Sequence, residues 1–413
     1  MFNGVCRTCK SNRLFMFLDM GLHPPANQFL TLKDLDLHEA TFPLKAYACL
    51  SCALIQVANH IPADFFRHYV YVPSASTTLQ RHFTELAETM TGRFVSNASD
   101  LVVDIGSNEG LFLKACSDLG ASTLGVEPAR NLAEIARGQG LEIVNEYFSP
   151  KIAREIGARH GLAKVIVTTN TFNHIDDLHG FMESVRHLLR PDGVFVVEVP
   201  QALDLVENNE IDTIYHEHLS QFSVKSLVDL FAFFSMEIFD IDRLEIHGGS
   251  MRVYGRVVEG ASAVSPAVSK WQKLEADGEL FLKSTYEALT ERVMRNKARL
   301  LAMLHELKGN GKKLAGYGAP AKGNTLLNFF GIGPDVLDFL ADKNALKQGL
   351  FSPGMHIPVV SPEMILEEQP DYLLILAWNF ADEIIEQEEE FRKRGGQFIV
   401  PIPEPAIIAP SHA

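Results

Sequence analysis

Residues 101–110, Leu-Val-Val-Asp-Ile-Gly-Ser-Asn-Glu-Gly, decide the fold of this chain. An apolar run rich in β-branched residues ends in a glycine-containing turn, and a helix-like segment (110–120) follows at once. Four further apolar runs occur at 123–128, 141–148, 164–172 and 194–200, with helix-like segments between them. Nearly continuous apolar strands that alternate with helices predict a parallel sheet covered on both faces.

The sequence on either side of this core divides the chain into three regions. Residues 1–75 carry two cysteine pairs and several prolines, which predicts a small, loop-rich module. Residues 76–262 contain the parallel sheet, closed by two antiparallel strands within 236–258. Residues 263–413 contain a helical linker and a second, smaller unit in which strands again alternate with helices. We therefore predict an α/β protein with a doubly wound, Rossmann-like central sheet and a second Rossmann-like domain after it.

Composition excludes several classes of protein. The 413 residues include 37 Lys and Arg against 52 Asp and Glu, a formal net charge of −15. An acidic chain repels phosphate backbones, so we expect no nucleic-acid partner. The N-terminus lacks the pattern of an export signal, and the least charged stretch, 46–63, is too polar to span a membrane. We expect a cytoplasmic protein with no membrane partner, in which three domains around one cleft could work as a monomer.

Four of the five cysteines form two Cys-x-x-Cys pairs, Cys6 with Cys9 and Cys49 with Cys52. Two such pairs supply four thiolates for a tetrahedral zinc ion, and a four-sulfur set leaves no open position for catalysis. A redox Cys-x-x-Cys would need a thioredoxin-like setting, which these pairs lack. We therefore predict a structural zinc site. The fifth cysteine, Cys116, lies on an apolar helix stripe and is interpreted as a buried core residue.

The turn that follows the first strand predicts a ligand site. Gly106 permits a tight turn and close backbone approach, but Asn108 replaces the middle glycine of the dinucleotide fingerprint. Asp104 at the strand end favours a cationic or amine-bearing ligand. Glu127 ends the next strand, where a carboxylate can accept hydrogen bonds from both hydroxyls of a ribose. The alternative is a structural turn without a ligand.

A His-rich segment, Tyr215-His216-Glu217-His218, follows the fifth strand by about a dozen residues. A histidine can take a proton near neutral pH, a neighbouring carboxylate can orient it, and a tyrosine hydroxyl can donate to an oxyanion. The alternative is a metal site, since His-x-His also occurs in metal proteins, but no further ligand motif stands out.

A second glycine-rich turn, residues 316–324, also follows a strand and opens a helix. Backbone N–H groups and Lys322 could bind a pyrophosphate at the helix start. Nicotinamide binding is weakly indicated, because the glycine spacing is wrong and no acid ends the next strand before Asp342. A duplicated fold that merely packs against the first is the other alternative.

These residues resemble two nested families. The turn after the first strand resembles that of class I S-adenosylmethionine methyltransferases. The combination of four-cysteine module, YHEH segment and GYGAPAKGNT turn resembles, over nearly the full length, the nucleotide-sugar C-methyltransferases that act on C3 of 4-keto-2,6-dideoxyhexoses. The resemblance implies S-adenosylmethionine as cofactor and a nucleotide-linked 4-ketosugar as substrate. The residues that it implies for the cofactor are Asp104, Gly106, Ser107, Asn108, Gly110, Glu127, Pro128, Thr169 and Asn170.

The same resemblance implies the catalytic roles. His218 becomes the base, supported by Glu217 and Tyr215, and His174 lies near the reacting sugar. A tyrosine that precedes the core reaches the active site, with Tyr71 the better match and Tyr69 its competitor. The residues implied for substrate binding are Tyr71, Asn173, Lys322 and Asn324.

The implied reaction is removal of the C3 proton followed by in-line attack of the carbanion on the sulfonium methyl. Three alternatives remain open at this stage. They are a zinc-containing methyltransferase of RNA, protein or another small molecule, a non-catalytic scaffold, and an oxidoreductase that uses the second glycine turn.

Overall fold

The computed structural model describes residues 4–58, 61–62, 64–69, 71–258 and 263–408. Its N-terminal region forms three antiparallel strands: β1 (Leu14–His23), β2 (Phe42–Cys49) and β3 (Ile55–Val57). The sequence predicted a loop-rich module here and did not predict β1, which is ten residues long. Register shifts between Met16 and Leu18 and between Asp19 and Leu22 interrupt its alternation of buried and exposed positions, so the sequence carries no clean period of two.

The central region alternates strands and helices as predicted. Its elements are α1 (Thr77–Phe94), β4 (Leu101–Ile105), α2 (Leu111–Asp118), β5 (Ser122–Val126), α3 (Arg130–Gly138), β6 (Ile143–Val144), α4 (Pro150–His160), β7 (Ala163–Thr169), α5 (Leu178–Leu188), β8 (Leu189–Pro200), α6 (Ala202–Glu207), β9 (Ser220–Gln221), α7 (Val224–Ala232), β10 (Met236–Leu244) and β11 (Ser250–Val257). All five residues of β4 are buried, the acidic Asp104 as well as its four apolar neighbours.

The central sheet has the order β6-β5-β4-β7-β8-β11-β10. Its first five strands are parallel, and β11 runs antiparallel to both of its neighbours. The strand order reverses beside β4, so a crevice opens at the carboxyl ends of β4 and β7. This is the class I methyltransferase arrangement expected from the sequence.

The C-terminal region repeats this design in smaller form. Its elements are α8 (Pro266–Asp277), α9 (Lys283–Gly309), β12 (Leu314–Tyr317), α10 (Ala321–Phe330), β13 (Leu340–Ala341), β14 (Val359–Val360), α11 (Met364–Glu368), β15 (Tyr372–Ile375), α12 (Ala381–Gln387), α13 (Glu389–Lys393), β16 (Gln397–Val400) and β17 (Ala406–Ile408). The sheet order β14-β13-β12-β15-β16-β17 is that of a Rossmann fold, with β17 antiparallel. The reversal in order lies beside β12.

One hydrophobic core joins parts of the chain that are distant in sequence. It contains Phe17 and Leu44 of the N-terminal strands, Leu289 of α9, and Leu314 and Leu374 of the C-terminal sheet. The predicted division into 1–75, 76–262 and 263–413 stays a prediction, and the residues before its second boundary, 259–262, lie outside the described residues.

Candidate active site and zinc centre

The four predicted metal ligands come together near the start of the chain. The Sγ atoms of Cys6, Cys9, Cys49 and Cys52 all lie within 4.8 Å of one another. Cys6 and Cys52 are 3.5 Å apart and Cys9 and Cys49 are 3.6 Å apart. A tetrahedron with zinc–sulfur bonds of about 2.3 Å has edges of roughly 3.8 Å, so the four thiols fit a zinc ion. Cys116 lies apart from them, buried in α2.

A cavity of about 520 Å³ lies where the two crevices face each other. Loops after β4, β5 and β7 line one side, and Pro320, Lys322, Ala377 and Asn379 of the C-terminal domain line another. The YHEH segment and Asn27 of the N-terminal region complete the wall. All three regions therefore contribute to one compartment, where the switch-point rule places ligands.

The turn after β4 brings backbone close to a neighbouring side chain. Gly106 has φ of +80°, and a Cβ added there would lie 2.1 Å from Thr171 Oγ1. Its N–H donates to the carbonyl oxygen of Val126 at 2.8 Å, which ties the turn to the end of β5. Glycine is required at this position for both conformation and space.

Two buried carboxylates stand at the ends of the adjacent strands. Burial, with a smaller effect from Glu127, raises the pKa of Asp104 to about 8. Asp104 Oδ1 is buried and hydrogen-bonds none of the residues that the structure describes. Glu127 accepts hydrogen bonds from the N–H groups of Asn108 at 2.8 Å and Ala129 at 2.7 Å. Glu127 is thus held rigidly at the cavity, and Asp104 offers an unpaired acceptor that a positive charge would satisfy.

His218 lies at the cavity with a defined tautomer. Its Nδ1 is 3.0 Å from the carbonyl oxygen of Thr213, which can only accept, and 3.3 Å from Gln221 Nε2, which can only donate. Gln221 Nε2 already donates to the Thr213 carbonyl at 2.8 Å, so we assign the proton of the neutral ring to Nδ1 on the shorter contact. Its Nε2 is then a lone-pair acceptor, and the hydroxyl of Tyr215 donates to it at 2.6 Å. Nε2 is therefore the atom of His218 that can take a proton.

Glu217 interacts with Tyr69 and with the N-terminal region. The Tyr69 hydroxyl donates to Glu217 Oε2 at 2.5 Å, and Asn27 Nδ2 donates to the same oxygen at 2.7 Å. Burial raises the pKa of Glu217 to about 7, against the effect of these two donors. Asn27 was not foreseen, because an isolated asparagine after two prolines carries no signal beyond a turn.

Tyr71 and His174 also line the cavity. Burial raises the pKa of Tyr71 to about 12, so its hydroxyl keeps its proton at neutral pH. Burial lowers the pKa of His174 to about 4, against a hydrogen bond to the Asn170 backbone, so this imidazole is neutral. The His174 ring stands edge-on to that of His218, with centroids 4.9 Å apart. Tyr69 and Tyr71, the two tyrosines between which the sequence did not decide, therefore both line the cavity. Of the two, Tyr69 is the one that hydrogen-bonds Glu217.

Several other predicted residues line the cavity as expected by position: Ser107, Asn108, Pro128, Thr169, Asn170 and Lys322. Three do not. Gly110 begins α2 in a left-handed conformation behind the turn. Asn173 is fully buried away from the cavity, and Asn324 donates to the carbonyl oxygen of Ala26 at 2.8 Å, bracing the loop that carries Asn27. Both asparagines follow a lining residue closely in sequence, but the local helical turns direct them inward.

The zinc module reaches the YHEH segment through a strand pair. β9 directly follows His218 and Leu219, and it joins the N-terminal sheet by pairing with β3, Ile55 opposite Gln221 and Gln56 opposite Ser220. The N–H of Val57 also donates to the carbonyl oxygen of Leu219 at 3.1 Å. The N-terminal sheet, which the four-cysteine site holds together, therefore helps to fix the position of His218, the candidate base.

Comparison with known proteins gives matches along the whole chain. A zinc binding domain matches residues 6–66, a methyltransferase domain residues 75–234, and a C-methyltransferase C-terminal domain residues 245–403. The C-methyltransferase NovU of Streptomyces niveus is 38% identical over 405 residues, 98% of this chain and 96% of that protein.

Solved structures similar to the chain include a SAM-dependent methyltransferase from Anabaena variabilis, with a TM-score of 0.36 and 15% identity over 45% of this chain and 86% of that one. The PH0226 protein of Pyrococcus horikoshii has a TM-score of 0.36 and 12% identity over 48% of this chain and 100% of that one.

The fold and the site define an S-adenosylmethionine-dependent methyltransferase that carries a structural four-cysteine zinc centre. The chain belongs to the C-methyltransferase family, on its identity to NovU and its match to the family's C-terminal domain. Its residues fit the cofactor. The unpaired Asp104 oxygen suits a ligand that carries positive charge, Glu127 suits a ribose, and the Gly106 turn permits close backbone approach.

Proposed function

We propose that this enzyme methylates C3 of a nucleoside-diphosphate 4-keto-deoxysugar. The observation that carries the proposal is His218, whose Nε2 lone pair lies in the wall of the cavity that also contains Asp104 and Glu127. Methylation of carbon requires a base close to the methyl donor, because a C–H bond is not nucleophilic until its proton is removed. The printed name of the relative, a C-methyltransferase, supports a carbon acceptor.

Proton removal falls to His218 in this proposal. The Nδ1–H donates to the Thr213 carbonyl, so the C3 proton goes to Nε2 and the ring becomes an imidazolium. In the ligand-free protein the Tyr215 hydroxyl donates to the Nε2 lone pair. This hydrogen bond must break before Nε2 can take the proton of the substrate. General base catalysis of this kind contributes roughly 10²–10⁴-fold.

The electron pair left at C3 delocalises onto the C4 oxygen, which needs a hydrogen-bond donor. We assign this to Tyr71, which lines the cavity and, like any tyrosine at neutral pH, carries a hydroxyl proton that it can donate. An oxyanion donor of this kind is worth about 3 kcal/mol. Tyr69 is assigned a supporting role through Glu217, and neutral His174 contacts the sugar beside His218.

The bound cofactor supplies a methyl group on a sulfonium, and the chain's task is to hold its two ligands in line, with reacting atoms ~3–3.5 Å apart. Asp104 and Glu127 hold the cofactor end. Lys322, at the second crevice, faces the cavity opposite them, and we assign it to the nucleotide part of the substrate. Burial lowers its pKa to about 8, so at pH 7 most of its population remains charged.

The substrate is tested by incubating the enzyme with S-adenosylmethionine and a panel of nucleotide 4-ketosugars, with mass spectrometry for an added methylene mass. Methylation of any member supports the proposal. Cofactor binding without any methylated ketosugar would move the acceptor outside this class. Four of the five cysteines form the zinc cluster and Cys116 lies in the core, which fits the reducing cytoplasm that we propose as the protein's location.

The base is tested with His218→Asn, which keeps a polar group near the position of Nδ1 but has no counterpart of Nε2 to take the proton. We expect turnover to fall at least 100-fold, on the order expected of a general base, while S-adenosylmethionine affinity stays within twofold. Exchange of the C3 proton in D₂O, followed by mass spectrometry without the cofactor, should be lost in parallel. Near-normal exchange in this variant would rule out His218 as the base.

A further inference from the structure

The turn that precedes the YHEH segment is bonded to the C-terminal domain. This turn, Ile211–Thr213, is a short 3₁₀ helix whose three residues are all buried. Asp212 within it is completely inaccessible, and its Oδ2 accepts a hydrogen bond from Trp378 Nε1 at 2.7 Å. Trp378 begins a short 3₁₀ helix after β15, so a residue of the C-terminal region holds a turn of the central region.

The same turn sets the state of His218. The Thr213 carbonyl oxygen accepts from His218 Nδ1 at 3.0 Å and from Gln221 Nε2 at 2.8 Å. A displacement of this carbonyl would release the Nδ1–H and leave the imidazole free to change tautomer. Thr213 lines the cavity, whereas neither Asp212 nor Trp378 is among its lining residues. The two can therefore influence the base without touching the substrate.

Charged groups surround the Trp378–Asp212 bond. Lys322 Nζ lies 3.9 Å from the centroid of the Trp378 ring, and its charge opposes the effect of burial on Asp212. Glu210, on the same segment as Asp212, also interacts with Lys322. Burial raises the pKa of Asp212 to about 6, so near neutral pH it is mostly the carboxylate that Trp378 needs as acceptor.

We propose that Trp378, acting through Asp212, is a positioning residue for His218. The C-terminal domain thereby fixes the Thr213 carbonyl, and the carbonyl keeps the proton of the neutral imidazole on Nδ1. The catalytic meaning of this arrangement rests on the proposed function. The dependence of the tautomer on Trp378 does not, because it is a property of the protein without substrate.

The test variant is Trp378→Phe, which keeps an aromatic ring near Lys322 but removes the indole N–H. The chain has two tryptophans, and Trp271→Phe is the matched control, since Trp271 is 5% exposed and packs under Arg243 of the central sheet. Asp212→Asn is the conservative variant of the partner residue, because its amide oxygen can still accept the hydrogen bond from Trp378. Asp212→Ala removes the acceptor and with it this hydrogen bond.

The first readout is ¹⁵N NMR of histidine-labelled enzyme without substrate, with His218 assigned by its loss in His218→Asn. We expect the Nδ1–H tautomer in the wild type, in Trp271→Phe and largely in Asp212→Asn, and a mixture of tautomers in Trp378→Phe. The second readout is C3-proton exchange of the ketosugar in D₂O. Trp378→Phe should slow the exchange about tenfold or more at saturating sugar, with an unchanged Michaelis constant and cofactor affinity.

Wild-type tautomer and exchange rate in Trp378→Phe would overturn the proposal. A Trp378→Phe enzyme in which only the Michaelis constant rises would also overturn the proposal, since Trp378 would then act on substrate binding. A tautomer that depends on Trp378 in an enzyme that exchanges no ketosugar proton would support the positioning role and reject the proposed substrate.

Discussion

At the scale of single residues, Asp104 combines a cost to stability with the role in cofactor binding that we propose for it. Its folded-state pKa of about 8 lies above the ordinary value of 3.8 because the group is buried. The folded protein therefore binds a proton that the unfolded chain has already lost between pH 4 and pH 8. Asp104 therefore makes the free energy of unfolding fall as pH rises from about 4 to about 8, because the proton that the folded protein holds becomes harder to keep.

We therefore expect Asp104→Asn to stabilise the ligand-free protein. Each pKa unit corresponds to about 1.4 kcal/mol, so the gain in unfolding free energy at pH 8 should exceed roughly 1 kcal/mol and shrink toward pH 4. Urea unfolding at several pH values measures it. The same variant should bind S-adenosylmethionine more weakly, and a gain that did not vary with pH would show that ionisation of Asp104 is not the cause.

Single residues also show what the sequence could predict of the site. Asp104, Glu127 and His218 stand at strand ends or in a short motif, and their chemistry could be recognised locally. Asn27 and Trp378 could not, because each acts on a residue that lies more than 160 positions away. The choice between Tyr69 and Tyr71 depended on a shift of two residues in a segment without secondary-structure periodicity.

At the scale of elements, the turn between β4 and α2 is predicted to tolerate no Cβ at Gly106. Gly106→Ala meets both a positive φ and the Thr171 side chain, so we expect it to reduce cofactor affinity at least tenfold, by roughly 1.4 kcal/mol. Gly120→Ala is the matched control: its φ is +87°, but nothing lies within 4 Å of the added Cβ. That variant should cost about 1–2 kcal/mol of stability and leave cofactor affinity unchanged. Isothermal titration calorimetry separates the two, and equal affinities would refute the steric argument.

The sheet formed by β1, β2, β3 and β9 links the four-cysteine site to His218, the base that we propose. Cys49→Ser should lose zinc and, because β3 pairs with the strand that follows His218, should also lose turnover in whatever fraction stays folded. Elemental analysis and the methylation assay measure the two effects. Cys116→Ser, which alters a buried cysteine outside the cluster, should keep its full zinc content. Full activity in zinc-free Cys49→Ser would show that the sheet holds β9 without the metal.

The pairing of β9 also explains the limit of prediction at this scale. The parallel strands of the central sheet were predictable because each lies in an apolar run within a strand–helix alternation. β9 has two residues and no hydrophobic pattern of its own; its conformation comes from its partner β3. Tertiary pairing of this kind leaves no local trace in the sequence.

At the scale of the whole molecule, the shared core predicts cooperative unfolding. Leu44, Leu289 and Leu374 belong to one buried cluster although they come from three regions of the chain. We expect a single calorimetric transition, with zinc released in the same temperature range, and we expect residues 1–262 alone to be unstable because α9 and the C-terminal sheet would be missing. Two well-separated transitions, the first without zinc release, would contradict a common core.

The sequence allowed three regions to be predicted but not how they close around one cavity. The presence of each sheet could be inferred from its own strands. That the crevices of the two sheets face each other depends on side-chain packing between distant segments. Thr78 Oγ1 of α1, for example, donates to Glu383 Oε2 of α12 at 2.7 Å. Contacts of this kind depend on the relative orientation of the sheets, which no motif encodes.

The Thr213 carbonyl has a consequence for how such enzymes can diversify. The group that orients His218 belongs to the main chain, so every amino acid placed at position 213 would still provide it. The Thr213 hydroxyl, by contrast, donates to the Glu210 carbonyl oxygen at 2.6 Å within the same turn. A library at this codon therefore always keeps the group that contacts His218, and what it varies is how firmly the turn holds that group in place.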